Sequence, residues 1–230
     1  MSANVSLGSY QSTHDVHASH PVDVDVQPAF THRNRLTCFF RVILALPHLI
    51  LVGGPSALAV SIAWGAGTHP RPEWGGATGI LGALAAVCAL IAWFAIVFGG
   101  EYPAGLRDLA MLYLRWRVRV SAYTALLRDE YPPFGDGAYP ATLQLAPSAG
   151  ARNRLTVALR LVLALPQILA VWLLGVAWFV ATIAGWISIL FTGAYPETLF
   201  TFSVGALRWS TRVEAYLLLL VDEYPPFSLT

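Results

Sequence analysis

Two periodicities divide the chain. Between Pro21 and Pro28, Val22, Val24 and Val26 alternate with Asp23, Asp25 and Gln27, the period of two that marks a short half-buried strand. Thr142, Leu143, Gln144 and Leu145 keep that period between Pro140 and Pro147. A lone strand leaves its ladder unpaired, so the two segments either pair with each other or stand merely extended; extended segments are the expectation.

Elsewhere the pattern is helical and strongly apolar. Arg33 to Leu46 sets Arg33 and Arg41 beside Leu36, Phe39, Phe40, Ile43 and Leu44, an amphipathic start that lies at headgroups before the chain turns inward, with a kink at Pro47 or Pro166. A helix needs about 20 apolar residues to span a bilayer, and Val42 to Trp64 and Ala77 to Phe98 supply that length. A polar turn between Trp64 and Trp74 joins them, so this half reads as a transmembrane hairpin. Leu161 to Phe191 carries no charge and is longer than one span but shorter than two; it is either one tilted helix or a tight hairpin turning near Gly175. Two later helices carry Arg115 and Arg119, and Arg208 and Arg212, at i and i+4 on one face. Burying one Arg at the bilayer centre costs about 2.5 to 3.5 kcal/mol, so these helices read as interfacial, with Arg reaching to water.

Composition identifies the solvent. Of 230 residues, 56% are hydrophobic and only 12% charged, about half the charge of an ordinary soluble chain, which excludes soluble, disordered and nucleic-acid-binding classes. All 14 basic residues are Arg, and they cluster beside apolar runs. If the flanks of each apolar block share a side, every Arg but Arg71 lies there, the positive-inside pattern of cytoplasmic flanks and an even number of crossings. The expectation is four crossings, with three as the alternative: both termini and the turn from Gly135 to Gly150 cytoplasmic, His69 to Glu73 outside. Residues 1 to 20 show no secretory signal and read as a disordered arm, in which His14, His17 and His20, with His32 further on, are not expected to bind a metal.

The sequence also repeats. Arg33-Asn34-Arg35-Leu36-Thr37, Arg41 and Leu44-Ala45-Leu46-Pro47 return 119 residues later as Arg152-Asn153-Arg154-Leu155-Thr156, Arg160 and Leu163-Ala164-Leu165-Pro166. Trp93, Arg115-Trp116, Arg119, Tyr123 and Asp129-Glu130-Tyr131-Pro132-Pro133-Phe134 return 93 residues later as Trp186, Arg208-Trp209, Arg212, Tyr216 and Asp222-Glu223-Tyr224-Pro225-Pro226-Phe227. Since 119 minus 93 is 26, the first copy holds 26 extra residues between Pro47 and Trp93. The division is an arm (1–20), a first membrane repeat (21–134), a linker (135–139) and a second repeat (140–230). The fold class expected is an all-α integral membrane protein of two tandem repeats: each has a short extended segment, an amphipathic helix, transmembrane span or spans and an interfacial Arg/Trp helix.

The RNRLT–LALP, RWxxRVxAY and DEYPPF motifs, in that order in both copies, resemble the bacterial membrane family called domain of unknown function 4389. The resemblance implies a bacterial cytoplasmic (inner) membrane protein and transfers no catalytic residue. The second copy departs from it at Gln167, where the first has His48.

Two groups of residues are candidates for a role. Asp129 and Glu130, and Asp222 and Glu223, sit at helix C-termini, where acid is repelled by the helix dipole, so a cationic partner is expected; Arg33, Arg35, Arg152 and Arg154 are the motif-level choice for an ionic latch. Arg115, Trp116 and Arg119, with Arg208, Trp209 and Arg212, form the expected contact with anionic lipid headgroups. His48 reads as hydrogen-bonded within the bundle, Gly75, Gly79 and Ala83 as helix packing, and Cys38 and Cys88 as buried apolar residues. No phosphate loop, nucleophile elbow or metal motif is present, so no catalytic residue, metal or cofactor is expected. A non-enzymatic scaffold that binds lipid, membrane-protein partners or its own copies, and no nucleic acid, is the first expectation. A small transporter or channel component is the alternative, and a membrane enzyme comes third.

Overall fold

A computed structural model describes residues 20–54, 74–146 and 153–230. The arm up to residue 19, Arg152 and the polar turn of the expected hairpin lie outside the described residues. In chain order the elements are β1 (Val22–Val26), α1 (Arg35–Phe39), α2 (Arg41–Val52), α3 (Trp74–Phe94) with a π-helical turn (Ala95–Gly99), α4 (Ala104–Thr124), β2 (Ala141–Leu145), α5 (Arg154–Ala158), α6 (Arg160–Thr192) and α7 (Glu197–Leu217). The fold is mostly helical, and two helical stretches, Gly79–Gly99 and Arg160–Thr192, are long and apolar enough to cross a membrane.

Three local expectations change. First, the extended segments pair: β1 and β2 form an antiparallel ribbon that buries Val22, Val24, Ala141 and Leu143, which removes the open ladder between them. Second, α6 runs unbroken through Gly175, so no hairpin turn forms there. Its 33 residues reach about 49 Å at 1.5 Å per residue. Third, the helix expected over Val42 to Trp64 ends at Val52, capped by Gly53 at φ 75°.

The helix resumes at Gly79. Val52 plus 119 is 171 and Gly79 plus 93 is 172, so α2 and the part of α3 from Gly79 correspond to consecutive parts of α6, and the 26 extra residues are 53–78. Gly79, at φ 67°, abuts the end of α2 so closely that a Cβ there would stand 2.5 Å from the Gly53 nitrogen. Only glycine meets both demands, the left-handed φ and the contact. Trp93 and His48 make the contacts of Trp186 and Gln167, described below. The insertion thus leaves and rejoins at one point, and α2 and α3 together stand where α6 stands in the second copy.

The ribbon reveals how the copies are related. Val24 pairs with Leu143, its own counterpart 119 residues on, while Val22 pairs with Leu145 and Val26 with Ala141, which exchanges counterparts. A reciprocal exchange of this kind is a two-fold axis, here through the centre of the ribbon. The long helices obey it: Trp186 Nε1, near the end of α6, donates to the Cys38 carbonyl at 3.2 Å, and Trp93 Nε1 donates to Val157, the counterpart of Cys38, at 2.9 Å. The start of each copy's long helix therefore meets the end of the other's, and the two run antiparallel.

Packing follows in layers. α7 lies between α6 and β1, α4 lies between the α2–α3 helix and β2, and α4 packs on α7. The Arg/Trp helices, expected at an interface, are the middle layer, with Tyr113, Leu114, Leu207 and Tyr216 in the core. On the far side α6 buries one stripe, including Ala164, Gln167, Trp178 and Ile189, and exposes Leu165, Leu173, Val176, Val180, Ile187 and Phe191.

Candidate functional site

The repeated motifs meet at two corners. Asn34 and Asn153 cap α1 and α5, accepting from the amides two and three residues on. At the other end, α4 and α7 close with Leu126 and Leu219 at φ 63° and 62°, while Leu127 and Leu220 return their amides to Ala122 and Ala215 at 2.9 Å. A left-handed leucine costs about 1 to 2 kcal/mol. Both are buried, which offsets that cost and fixes where the terminal carbonyls point.

Those carbonyls meet arginine. Arg41 Nη1 donates to Arg128 O at 2.6 Å and its Nη2 to Asp129 Oδ1 at 2.5 Å, with the guanidinium 4.2 Å above the Tyr123 ring. Arg160 repeats this: Nη1 donates to Tyr216 O at 2.9 Å and Val221 O at 2.5 Å, Nη2 to Asp222 Oδ1 at 2.7 Å, and the Tyr216 ring lies 4.3 Å below. Arg33 joins the first corner, bonding the Leu126 and Leu127 carbonyls and pairing with Asp129 at 2.9 Å; Asp129 also accepts the Asn34 amide.

The expected latch residues thus divide. The structure brings Arg33 and Asp129 together, but the partners shared by both corners are Arg41 and Arg160. Arg35 turns to the other copy, donating to Phe191 O at 3.3 Å, and Arg154 lies against Gly100, whose added Cβ would stand 2.6 Å from Nη2. Glu130 pairs instead with Arg128 at 2.5 Å; burial raises its pKa, but the bonds from Arg128 prevail and hold it below the ordinary value. Arg128 is Val221 in the second copy, so Glu223 has no matching arginine two residues before it. The signal for Arg41 and Arg160 was present: both belong to the repeated motif, in apolar helices where charge demands a partner.

Tyr-Pro-Pro-Phe folds back over a second repeated contact. Trp116 Nε1 donates to His48 Nδ1 at 3.1 Å, and the ring faces the Pro132 carbonyl and stacks on Phe134 at 4.3 Å. In the second copy Trp209 Nε1 donates to Gln167 Oε1 at 2.9 Å, and Gln167 Nε2 donates to Pro225 O at 2.6 Å. Histidine and glutamine each accept from a Trp and face the carbonyl of the same repeated proline, so the departure at Gln167 preserves the contact.

The Arg pairs expected at headgroups face protein groups. Arg208 donates to Val24 O at 3.1 Å and Arg212 to Val22 O at 3.3 Å, fastening β1 onto α7. Arg115 and Arg119 each approach Asp136 at 3.6 Å, and Arg119 donates to Gly135 O at 2.5 Å. Arg115 remains 43% exposed and borders a groove of about 510 Å³ with Arg107, Tyr102 and Leu145.

One charged contact has no counterpart. Arg117 on α4 pairs with Glu214 on α7 at 2.8 Å and donates to Val52 O at 3.0 Å, while Tyr113 donates to Glu214 at 2.7 Å. The corresponding positions are Ser210 and Ser121, and all four line one small cavity of about 10 Å³ with Trp178. Sequence reasoning missed this pair because it lies where the copies differ. Among the described residues no cluster of three His, Cys, Asp or Glu is placed to hold a metal ion. The arrangement ties charge to backbone and to opposite charge, and so locks helix ends.

The family model described as a domain of unknown function (DUF4389) matches residues 74–135 and 154–228. The first match begins beyond most of the 26-residue insertion, which separates α1 and α2 from the rest of their copy. No curated protein and no solved structure matches the chain.

Proposed function

The chain belongs to the DUF4389 family, and from that premise we propose that it is a non-enzymatic scaffold of the bacterial cytoplasmic membrane that binds anionic lipid and membrane-protein partners. The observation that carries this reading is the combination of an extensive apolar surface on α2, α3 and α6 with charged groups engaged by protein. An apolar face of that extent is a contact surface in search of hydrocarbon or another protein. Arg115 is the member of the Arg pairs that supports lipid contact best, since it is the most exposed of the four and borders the groove.

A transporter or channel component is the second reading, favoured by the polar cluster of Arg117, Ser121, Ser210 and Glu214 between the copies. Against it, that cavity, at about 10 Å³, has room for about one water molecule, too little for a path.

Native mass spectrometry in mild detergent tests the proposal. The wild type should retain phosphatidylglycerol or cardiolipin, and Arg115→Lys with Arg119→Lys should lose more of it than Arg208→Lys with Arg212→Lys, because the latter pair faces β1. Equal retention in all three would reduce the lipid contact to generic attraction and leave the scaffold reading to protein partners alone.

A further inference from the structure

We infer that the two long apolar helices lie along one leaflet of the membrane and do not cross it, so that the chain sits on the cytoplasmic face as a platform whose two copies are immersed to equal depth. The inference rests on the membrane reading above and specifies how the surface is used.

The two-fold axis decides the matter. It passes through Val24 and Leu143 at the ribbon centre, then between α4 and α7, where the counterparts Arg117 and Ser210, and Ser121 and Glu214, line one cavity. Trp178 lines that same cavity and stands near the middle of α6. The axis therefore runs through the layers, from ribbon to long helices, and meets those helices near their midpoints.

Consider first the helices as spans. Their midpoints would then lie near the bilayer centre and the axis would lie in the membrane plane. The ribbon, on that axis, would sit at mid-depth with Asp23, Asp25 and Gln27 exposed toward lipid. Asp23, 3.8 Å from Arg208, still has 51% of its side chain exposed, and an acid facing hydrocarbon at that depth is strongly disfavoured. The corners would also separate: Arg41 starts one long helix and Arg160 the other, and antiparallel helices place those starts at opposite ends. Arginine would then flank both faces of the membrane, against the charge asymmetry that fixes orientation.

With the axis along the membrane normal these conflicts vanish together. A two-fold along the normal places the same surface of both copies on the same side. The exposed faces of α2, α3 and α6 then form one apolar floor, and the ribbon with its acids points to water. Both corners lie at one depth, with Tyr131, Phe134, Tyr224 and Phe227 exposed where aromatic residues favour the headgroup boundary. The length of α6 also ceases to be a misfit: about 49 Å exceeds a hydrocarbon core of about 30 Å, whereas an in-plane helix has no length to match. The occupant of the floor is the acyl layer of the cytoplasmic leaflet, the side to which juxtamembrane Arg belongs.

Depth measurement along α6 tests this. Leu165, Val176 and Ile187 share the exposed apolar face, 11 residues apart, so single cysteines there, with Cys38 and Cys88 replaced by Ala, can carry nitroxide labels without disturbing a buried contact. In vesicles of phosphatidylethanolamine and phosphatidylglycerol at 3:1, oxygen against nickel-chelate relaxation should give three depths agreeing to within about one helix turn, about 5 Å. A midpoint label deeper than both flanking labels by about 10 to 16 Å, as a crossing helix of that spacing requires, would overturn the in-plane inference and leave the scaffold proposal standing. Relaxation by the nickel chelate at all three sites as in water would overturn both. Oriented circular dichroism of the unlabelled wild type in aligned bilayers gives an answer free of variants: helices parallel to the membrane are expected, and a transmembrane signature from α6 and Gly79–Gly99 would refute it.

Discussion

The two corners and the contact on the axis behave in opposite ways. At the corners, Arg41 with Asp129 and Arg160 with Asp222 repeat almost atom for atom, and so do the tyrosine beneath each guanidinium and the left-handed leucine before it. On the axis, Arg117 and Glu214 in one orientation face two serines in the other. A corner must close each copy's own long helix onto its own Arg/Trp helix, so each copy needs the complete set. On the axis the counterparts share one small space, where a second buried Arg–Glu pair would compete for the same volume, and one pair serves both halves.

The largest loss of stability is expected at the axis. Arg117→Ala should lower stability by about 3 kcal/mol, because it leaves the largely buried Glu214 carboxylate with the Tyr113 hydroxyl but no opposite charge. Arg117→Ser with Glu214→Ser, which makes both orientations alike, should recover more than half of that loss, since no uncompensated charge remains. Thermal unfolding in detergent reads both, and a double variant no better than the single would show that the pair itself, not the stranded charge, matters.

The corners should respond alike and less strongly. Asp129→Asn and Asp222→Asn should each cost about 1.5 to 3 kcal/mol, the scale of a charge-assisted hydrogen bond. Glu130→Gln, at an acid 54% exposed, should cost less than about 1 kcal/mol. Near-equal losses for Asp129 and Glu130 would contradict this division of the acidic pair.

His48 and Gln167 sharpen the likeness between copies. His48→Gln should change stability by less than about 1 kcal/mol, whereas His48→Leu, which leaves the Trp116 N–H without its acceptor, should cost about 1 to 3 kcal/mol. If glutamine is as damaging as leucine, the histidine has a task its counterpart does not share.

The smallest effect is at His20, which accepts the Val22 amide. Burial lowers its pKa from 6.5, and the charge of Arg212 adds to this. The unfolded chain therefore takes up the proton first, and stability should fall slightly as pH drops below about 6.5. A melting curve between pH 7.5 and 5 should lose this slope in His20→Asn.

Much of this was legible in the residues themselves. The offsets of 119 and 93 exposed the duplication, and their difference gave the insertion its length before its ends were known. The strand period identified both ribbon segments, the apolar runs the long helices, and the motif the acid at each corner. Arg33 meets Asp129 as the motif suggests, while Arg35 and Arg154 lie against the other copy and Arg41 and Arg160 join the acids. Asn34 and Asn153 cap helices, Arg33 serves its own copy, and Arg35 and Arg154 reach the other copy, a division that depends on the direction in which each side chain leaves the helix start.

What the sequence determined by itself was therefore local or periodic: element types, the duplication, the length of the apolar runs, and the demand that each buried Arg find a partner. Tertiary structure decided what depends on how the copies face each other. The register of the ribbon sets a two-fold axis, the axis makes the long helices antiparallel, and antiparallel helices on a charged middle layer present one apolar side. Hydropathy cannot reveal that choice, because an apolar residue contributes equally to a helix that crosses a membrane and to one that lies along it. The in-plane inference rests instead on the position of Asp23, Asp25 and the Arg corners relative to the helix midpoints.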